Sequence, residues 1–330
     1  MAILRILIII LLPVFLTGCY EDFSPRVDTK PVLCMNSLIT AGEPIEVSLT
    51  HTRLFTDTDA DITVTDATLS IFANGELKDA SYIPREGDRI RLVADSPAYG
   101  HAEAEVVVPV CVPIESLSWS ADVSDLWKDE SAVMSGSLQF SLRVEMRIDD
   151  PAESMDYYRM SYLYYYHSGS DDGYWESTGM DDRVTFSPGS LQYESEPLFS
   201  EHIGVFESVM GADTTGFTFF TDRQFQGADY TLHLVFPDCR YVVTSPIYDP
   251  ELLDCGAEFT LHSVSESYYY WANYQWHRDD GFLGDLGNIG LGEPMRGYSN
   301  VSSGAGVVAA QSYVSVEISL ADFVKGSLGF

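Results

Sequence analysis

A strict two-residue alternation constrains the fold of this chain more than any other sequence feature. From position 138 to position 148, every second residue is apolar: Leu138, Phe140, Leu142, Val144, Met146 and Ile148. Polar or charged side chains occupy the positions between them. Because successive side chains of a strand point to opposite faces of the sheet, this run predicts an antiparallel strand with one buried face.

The same alternation recurs in shorter stretches, at positions 45–49, 67–71, 230–236 and 314–320. The second stretch leads into Asn74-Gly75, a pair that accepts positive φ at both turn positions and predicts a hairpin. Helix signals are scarce: Ser265 is typical of an N-cap, and the helix that follows it is expected to run through Tyr268–His277. We therefore predict an all-β, mainly antiparallel fold with one short helix.

Chain length and proline positions predict two domains. Single hydrophobic cores stop growing at about 250–300 residues, whereas this chain has 330. A predicted strand ends at Val108-Pro109, and Pro113 follows shortly before the next region begins. We place an immunoglobulin-like β-sandwich domain at residues 30–112 and a larger β-rich domain at residues 113–330.

The N-terminus has the layout of a lipoprotein signal. A basic residue precedes the apolar stretch Ile6–Leu16, which is too short for a bilayer span of roughly 20 apolar residues. The stretch ends in the lipobox Leu16-Thr17-Gly18-Cys19, where a small residue precedes a cysteine whose thiol can be alkylated with diacylglycerol. We expect a signal peptide at 1–18, lipidation of Cys19, a lipidated tether at 19–29 and an outer-membrane location.

The formal net charge of −32 argues against nucleic acid and anionic lipid head groups as partners. Membrane attachment is therefore expected through the N-terminal lipid anchor. Glu21-Asp22, directly behind Cys19, resembles the short acidic signal that sends some Gram-negative lipoproteins to the outer leaflet. This indicates a protein that faces the cell surface, with an ordinary acidic tether as the alternative.

Four further cysteines are present: Cys34, Cys111, Cys239 and Cys255. An even number in an exported chain favours disulfide bonds. The short interval between Cys239 and Cys255 indicates one pair, and Cys34 with Cys111, near the two ends of the first β-rich region, would form the second. The three connectivities of four cysteines all stay open, as does a set of free buried thiols.

Acidic side chains alternate at Asp57, Asp59 and Asp61, as ligands do in calcium loops. An EF-hand is excluded because Ile62 stands where that loop needs glycine and Thr68 stands where it needs glutamate. A solvated acidic loop is the simpler explanation. We therefore assign no metal ligand and predict no cofactor.

Aromatic side chains supply the candidate contacts with a ligand or partner: Tyr164, Tyr166, Trp175, Tyr269 and Trp271. Tyrosine combines a flat apolar face with a polar tip, which suits recognition of a sugar, a peptide or a protein surface. The alternative is that these side chains face the core of the sheets. Catalytic motifs such as Gly-x-Ser-x-Gly, His-Glu-x-x-His and the phosphate loop are missing from the sequence, so we expect no enzyme.

Short motifs follow one another along most of the chain. After the lipobox come Leu49-Thr50-His51-Thr52-Arg53, Val64-Thr65-Asp66-Ala67-Thr68-Leu69, Gly87-Asp88-Arg89-Ile90-Arg91-Leu92, Ser265-Glu266-Ser267-Tyr268-Tyr269-Tyr270, Tyr298-Ser299-Asn300-Val301 and Gly304-Ala305-Gly306-Val307. This co-linear set resembles the domain-of-unknown-function 4249 family of exported lipoproteins. The chain departs from the family at Ser302-Ser303-Gly304, where members tend to have a glycine pair.

The resemblance implies an outer-membrane lipoprotein of a kind often associated with TonB-dependent receptors, and it supplies no catalytic residues. We expect a non-catalytic accessory binding module that captures a nutrient, a glycan or a peptide, for such a receptor. A structural or adhesive surface protein, such as a fimbrial accessory subunit, is the first alternative. A surface hydrolase is the second.

Overall fold

The computed structural model describes residues 30–53, 61–129, 135–151, 154–167, 184–187, 190–192, 195–201, 217–243, 254–279 and 297–329. Within these ranges, fourteen strands and two α-helices confirm the predicted all-β class. The signal peptide, Cys19, the tether and Trp175 lie outside the described residues. None of the helices in the described ranges has the length and apolar character needed to cross a membrane.

The strands are β1 Leu33–Thr40, β2 Ser48–His51, β3 Thr68–Ala73, β4 Glu76–Lys78, β5 Arg89–Ser96, β6 Gly100–Val107, β7 Ile114–Asp129, β8 Ser135–Asp149, β9 Tyr157–His167, β10 Val184–Ser187, β11 Phe219–Thr221, β12 Asp229–Val243, β13 Asp254–Val264 and β14 Val308–Ser319. The helices are α1 Glu266–Asp279 and α2 Ala321–Leu328. Among the described residues, two 3-10 turns cover Pro197–Ser200 and Asp222–Gln224.

The strands form three sheets, with the orders β11-β9-β13-β14-β1-β2, β10-β12-β8-β7 and β4-β3-β5-β6. The pairings between these strands are antiparallel except for that of β1 with β14. Parallel neighbours need a long crossover connection. Here the connection contains nearly the whole chain, because β1 is the first described strand and β14 is the last.

Strand β8 shows how the alternating pattern directs folding. Its six apolar side chains at the even positions from Leu138 to Ile148 are at most 1% exposed. Fully burying one such side chain contributes about 1.5–3 kcal/mol. A slip of one residue in the pairing of β8 with β7 and β12 would expose this whole face, so the register is strongly specified.

The described residues enclose two large hydrophobic cores, and a small cluster of Phe217, Ala272 and Trp276 lies apart from them. In the first core, the sheet β4-β3-β5-β6 packs against β1 and the start of β14, through side chains such as Met35, Leu92 and Ala310. In the larger core, β8 and β12 face β9, β13 and α2, through side chains such as Phe140 and Phe259. The six-stranded sheet therefore contributes to both cores.

The first core differs from a self-contained immunoglobulin-like domain. Val301 and Val308, which lie far beyond the predicted boundary at residue 112, belong to this core, so a late segment of the chain completes the sandwich. The chain passes from the first core at Val108 to the larger core at Val112. Val32–Phe330 forms one compact unit.

Each helix has a sequence signal at one end, a serine before α1 and a glycine after α2. The Ser265 hydroxyl accepts a hydrogen bond of 3.3 Å from the N–H of Tyr268 and one of 2.9 Å from the N–H of Ala310. The predicted start of α1 is thereby confirmed. Helix α2 was not predicted; it buries Val324 in the larger core and ends at Gly329, whose φ is 74°.

Candidate functional site

A groove of about 560 Å³ lies beside helix α1, over the part of the six-stranded sheet that contains β14, β1 and β2. It is lined by Asn36, Ser37, Leu38, Glu46, Val47, Ser48, Tyr268, Trp271, Val307 and Ala309. Strands β1, β2 and β14 and the segments that precede β2 and β14 supply the floor. Helix α1 supplies the two aromatic side chains of the wall.

The aromatic wall is held in place by the packing of α1. Tyr268 and Trp271 are three residues apart, which puts them on one face of the helix, and their ring centroids are 6.0 Å apart. On its other side, Tyr268 packs edge-on against Phe219 of β11 at 5.2 Å. Trp271 is 36% exposed, so its ring is available to a ligand while the neighbouring contacts hold the wall.

The floor combines apolar and polar groups. Alternation along β1 directs Asn36 and Leu38 outward, and the Asn36 Oδ1 atom accepts a hydrogen bond of 2.9 Å from the N–H of Val307. The Ser37 hydroxyl donates to the carbonyl oxygen of Glu46 at 2.7 Å. The Glu46 side chain is exposed, and none of the described residues that line the groove is basic.

Of the aromatic candidates whose side chains the structure describes, only Trp271 lines this groove. Tyr269 is 9% exposed and packs against Tyr157 at 5.1 Å. Burial raises the pKa of the Tyr269 hydroxyl to about 12. Tyr164 packs edge-on against Phe236 at 5.6 Å in the larger core. The structure thus places Tyr164 and Tyr269 in packing positions.

The other two aromatic candidates are Tyr166 and Trp175. The backbone of Tyr166 pairs with Cys255 across β9 and β13, while its side chain and the whole of Trp175 lie outside the described residues. Sequence reasoning missed Tyr268, although its three-residue spacing from Trp271 was the available signal. The sequence contains no signal for the residues of the groove floor, because the segments that form it meet only through the pairing of β1 with β14.

The predicted disulfide bonds are not formed by the described cysteines. Cys34, Cys111 and Cys255 are free thiols. The Cys239 thiol donates to the carbonyl oxygen of Phe236 at 3.8 Å. Cys239 and Cys255 both lie in the larger core, and burial raises the pKa of Cys255 to about 12. Both side chains therefore serve as buried apolar groups.

Strand register explains why Cys34 does not pair with Cys111. Thr40 of β1 lies opposite Gln311 of β14, and the Cys111 thiol lies beside the next residue, Ser312. Cys34 precedes Thr40 by six residues, which is about 20 Å along a strand at about 3.3 Å per residue. A disulfide needs Cα atoms within about 7 Å of each other.

The structure also gathers three aspartates that the sequence did not single out. Asp150 follows β8, Asp156 precedes β9, and Asp222 begins the 3-10 turn after β11. One carboxylate oxygen of each lies within 4.8 Å of the other two. Burial, with a further contribution from the neighbouring carboxylates, raises the pKa of Asp156 and of Asp222. These oxygen donors are the described groups best placed to hold a cation.

The acidic alternation noted in the sequence lies elsewhere. Asp57 and Asp59 are outside the described residues. The Asp61 Oδ1 atom accepts a hydrogen bond of 2.9 Å from the N–H of Thr63, which is a local turn contact. Asp61 therefore belongs to a loop and not to the aspartate cluster.

Comparison with known proteins identifies the family. Residues 20–317 match the family described as Domain of unknown function (DUF4249). Neither a curated protein nor a solved structure matches the chain. The matched range contains the first core, most of the larger core and the groove residues. The chain therefore belongs to the DUF4249 family.

Proposed function

We propose that this protein is a non-catalytic, lipid-anchored binding module of the outer membrane that captures a nutrient for a TonB-dependent receptor. The groove beside α1 is the observation that carries the proposal. Tyr268 and Trp271 form a wall that the packing of α1 holds in place before a ligand arrives. A preorganised site loses less conformational entropy on binding, so a modest groove can still bind well.

The chemistry of the groove favours a neutral glycan. The C–H faces of a sugar pack on aromatic rings, while its hydroxyls bond to amide, carboxylate and hydroxyl groups. Asn36, Glu46 and Ser48 supply such groups along the floor. The net charge of −32 repels acidic ligands. A peptide that carries basic side chains is the second ligand class compatible with these features.

A binding titration tests the groove. Neutral oligosaccharides and basic peptides are added to the purified protein, and binding is followed by tryptophan fluorescence and calorimetry. Trp271→Ala is expected to weaken binding about 10-fold, because an aromatic contact of about 1.4 kcal/mol is removed. Trp127→Ala is the matched control, since Trp127 is 55% exposed on β7 and does not line the groove. Equal losses in both variants, or no binding by the wild type, would contradict the proposal.

Experiments in cells test the anchor and the partnership. Cys19→Ser is expected to release the protein from the membrane fraction, because several buried acyl chains hold a lipoprotein firmly. Protease added to intact cells should digest the wild type, whereas protection until lysis would contradict surface exposure. Affinity purification should recover a TonB-dependent receptor, and its repeated absence would count against the partnership.

Strand β7 supports the alternative of a structural or adhesive surface protein. It lies at the edge of its sheet among the described strands and exposes Val123, Leu126 and Trp127. Exposed sheet edges pair readily with strands of other chains. This alternative predicts that the protein purifies with surface filaments and that Leu126→Lys abolishes the association. An unchanged yield of filaments with Leu126→Lys would exclude it.

A further inference from the structure

Three aspartates converge where the two sheets of the larger core approach each other. Asp150 follows β8 of a four-stranded sheet, whereas Asp156 and Asp222 adjoin β9 and β11 of the six-stranded sheet. One oxygen of each carboxylate lies within 4.8 Å of the others. Oxygens that share one Ca²⁺ at about 2.4 Å lie at most about 4.8 Å apart. The spacing therefore fits a single shared ion.

The environment of the Asp222 side chain indicates that this cluster binds a ligand. Its side chain is 0% exposed, and neither carboxylate oxygen has a hydrogen-bond partner. An ionised carboxylate loses its hydration on burial and is rarely left without compensation. Glu196, also fully buried, shows the usual solution, because its carboxylate accepts three hydrogen bonds from protein groups. Asp222 lacks such partners and faces two further carboxylates.

The surroundings orient two of the carboxylates without neutralising them. Asp150 accepts hydrogen bonds from the Tyr158 hydroxyl and, at 2.9 Å, from the N–H of Gly227. The Ser154 hydroxyl donates to both carboxylate oxygens of Asp156, at 3.0 and 3.1 Å. Across the part of the chain that the structure describes, no basic side chain forms an ion pair with the cluster.

We propose that Asp150, Asp156 and Asp222 form a Ca²⁺-binding site. The donors are carboxylate oxygens, which suit hard cations, and the cluster contains no histidine or cysteine that would favour zinc or copper. Mg²⁺ usually keeps several waters and takes one or two protein carboxylates, whereas Ca²⁺ accepts more carboxylates in flexible geometry. The ion connects β8 with β9 and β11 and so ties the two sheets of the larger core together.

Calorimetry and thermal unfolding of the purified protein test the site. After treatment with EDTA, Ca²⁺ is expected to raise Tm by about 5 °C at a free concentration 100-fold above its Kd. Mg²⁺ at the same concentration should give a much smaller shift. Tb³⁺ provides a separate readout, because an ion bound beside Asp150 lies next to the Tyr158 ring and its emission should be sensitised by tyrosine. A wild type whose Tm does not respond to Ca²⁺ would overturn the proposal.

Variants separate this site from general attraction of cations to an acidic protein. Asp222→Asn keeps the shape of the side chain and removes its charge, so it should abolish the Ca²⁺ shift and the Tb³⁺ emission without lowering Tm in EDTA. Asp125→Asn, on exposed β7, is the matched control and should keep both responses. Asp156→Asn, at the half-buried edge of the cluster, replaces Asp222→Asn if the latter fails to fold. A full response in the cluster variants, or an equal response to Mg²⁺, would contradict a Ca²⁺ site.

Discussion

The fully buried carboxylate of Glu196 accepts a hydrogen bond of 2.8 Å from the hydroxyl of Tyr230. The same carboxylate accepts bonds from the N–H groups of His233, at 2.8 Å, and Leu198, at 3.2 Å. Glu196 therefore connects the 3-10 turn at Pro197–Ser200 to β12 of the larger core. Removing a buried carboxylate that accepts several hydrogen bonds is strongly destabilising, because each donor is then left without an acceptor.

We expect Glu196→Ala to lower the free energy of unfolding by about 3 kcal/mol, since it leaves the partly buried donors of Tyr230 and His233 without this acceptor. Tyr230→Phe removes one donor and should cost about 1 kcal/mol. Urea unfolding followed by circular dichroism measures both. A loss below 1 kcal/mol for Glu196→Ala would show that the carboxylate does not organise this region.

His262 makes the stability of the protein depend on pH. Burial and the nearby Arg159 guanidinium lower the pKa of the His262 imidazole to about 4, from about 6.5 in an unfolded chain. Between these values the unfolded chain binds the proton more readily. We therefore expect stability to be lost as pH falls from about 6.5 to about 4, by up to about 3 kcal/mol, and to be fully present above this window.

The variant His262→Gln keeps a polar group near the Ser161 hydroxyl. It should lack the pH-dependent contribution of His262 to the free energy of unfolding. The difference in unfolding free energy between wild type and variant is expected to shrink by about 2–3 kcal/mol from pH 7 to pH 4.5. Taking the difference cancels the effect of protonating the many carboxylates, which both proteins share. Parallel pH profiles would show that His262 does not titrate in this range.

Two glycines with positive φ should differ in their tolerance of alanine. Gly75 has a φ of 83° and no atom within 4 Å of an added Cβ, so Gly75→Ala should cost about 1 kcal/mol through the backbone alone. Gly306 has a φ of 112°, and its added Cβ would lie 2.2 Å from the Met35 carbonyl oxygen. Gly306→Ala should cost at least about 3 kcal/mol, because β1 must shift. Thermal unfolding measures the loss of stability in both variants. Equal losses would contradict the close approach of Gly306 to the Met35 carbonyl oxygen.

The four cysteines in the described part of the chain are expected to be reduced thiols. We expect unfolded, unreduced Cys19→Ser protein to take up four maleimide groups, one at each remaining cysteine, as measured by intact mass. In the native protein, Cys239 and Cys255 should stay unlabelled because both are buried. Burial also raises the pKa of Cys34 and of Cys111, so their labelling at neutral pH should be slow. Uptake of two groups by the unfolded protein would reveal one disulfide bond.

Local patterns in the sequence predicted the elements that depend on nearby residues. The alternation around Phe140 specified which face of β8 is buried, since exposing that face is costly. Asn74 and Gly75 have φ values of 54° and 83°, as the predicted hairpin requires. Ser265 begins α1 as expected. These features follow from steric and solvation preferences that act within a few residues of the chain.

Other features depend on contacts between distant segments. A consecutive run of tyrosines does not specify which members face the core, so Tyr164 was predicted as a contact residue although it packs on Phe236. Helix α2 is short and contains Gly326, which weakens its helical pattern. The role of β14 in the first core could not be predicted, because periodicity indicates a strand and does not name its neighbours.

The sequence by itself determined the strand-rich class, the faces of the strands and the start of α1, because alternation and capping are local. Only the tertiary structure brought Trp271 over the floor built from β1 and β2, and Asp222 to Asp150 and Asp156. The reason is physical: side chains from distant segments meet only after the sheets have paired and packed, and the energy that selects those pairings is spread over both hydrophobic cores.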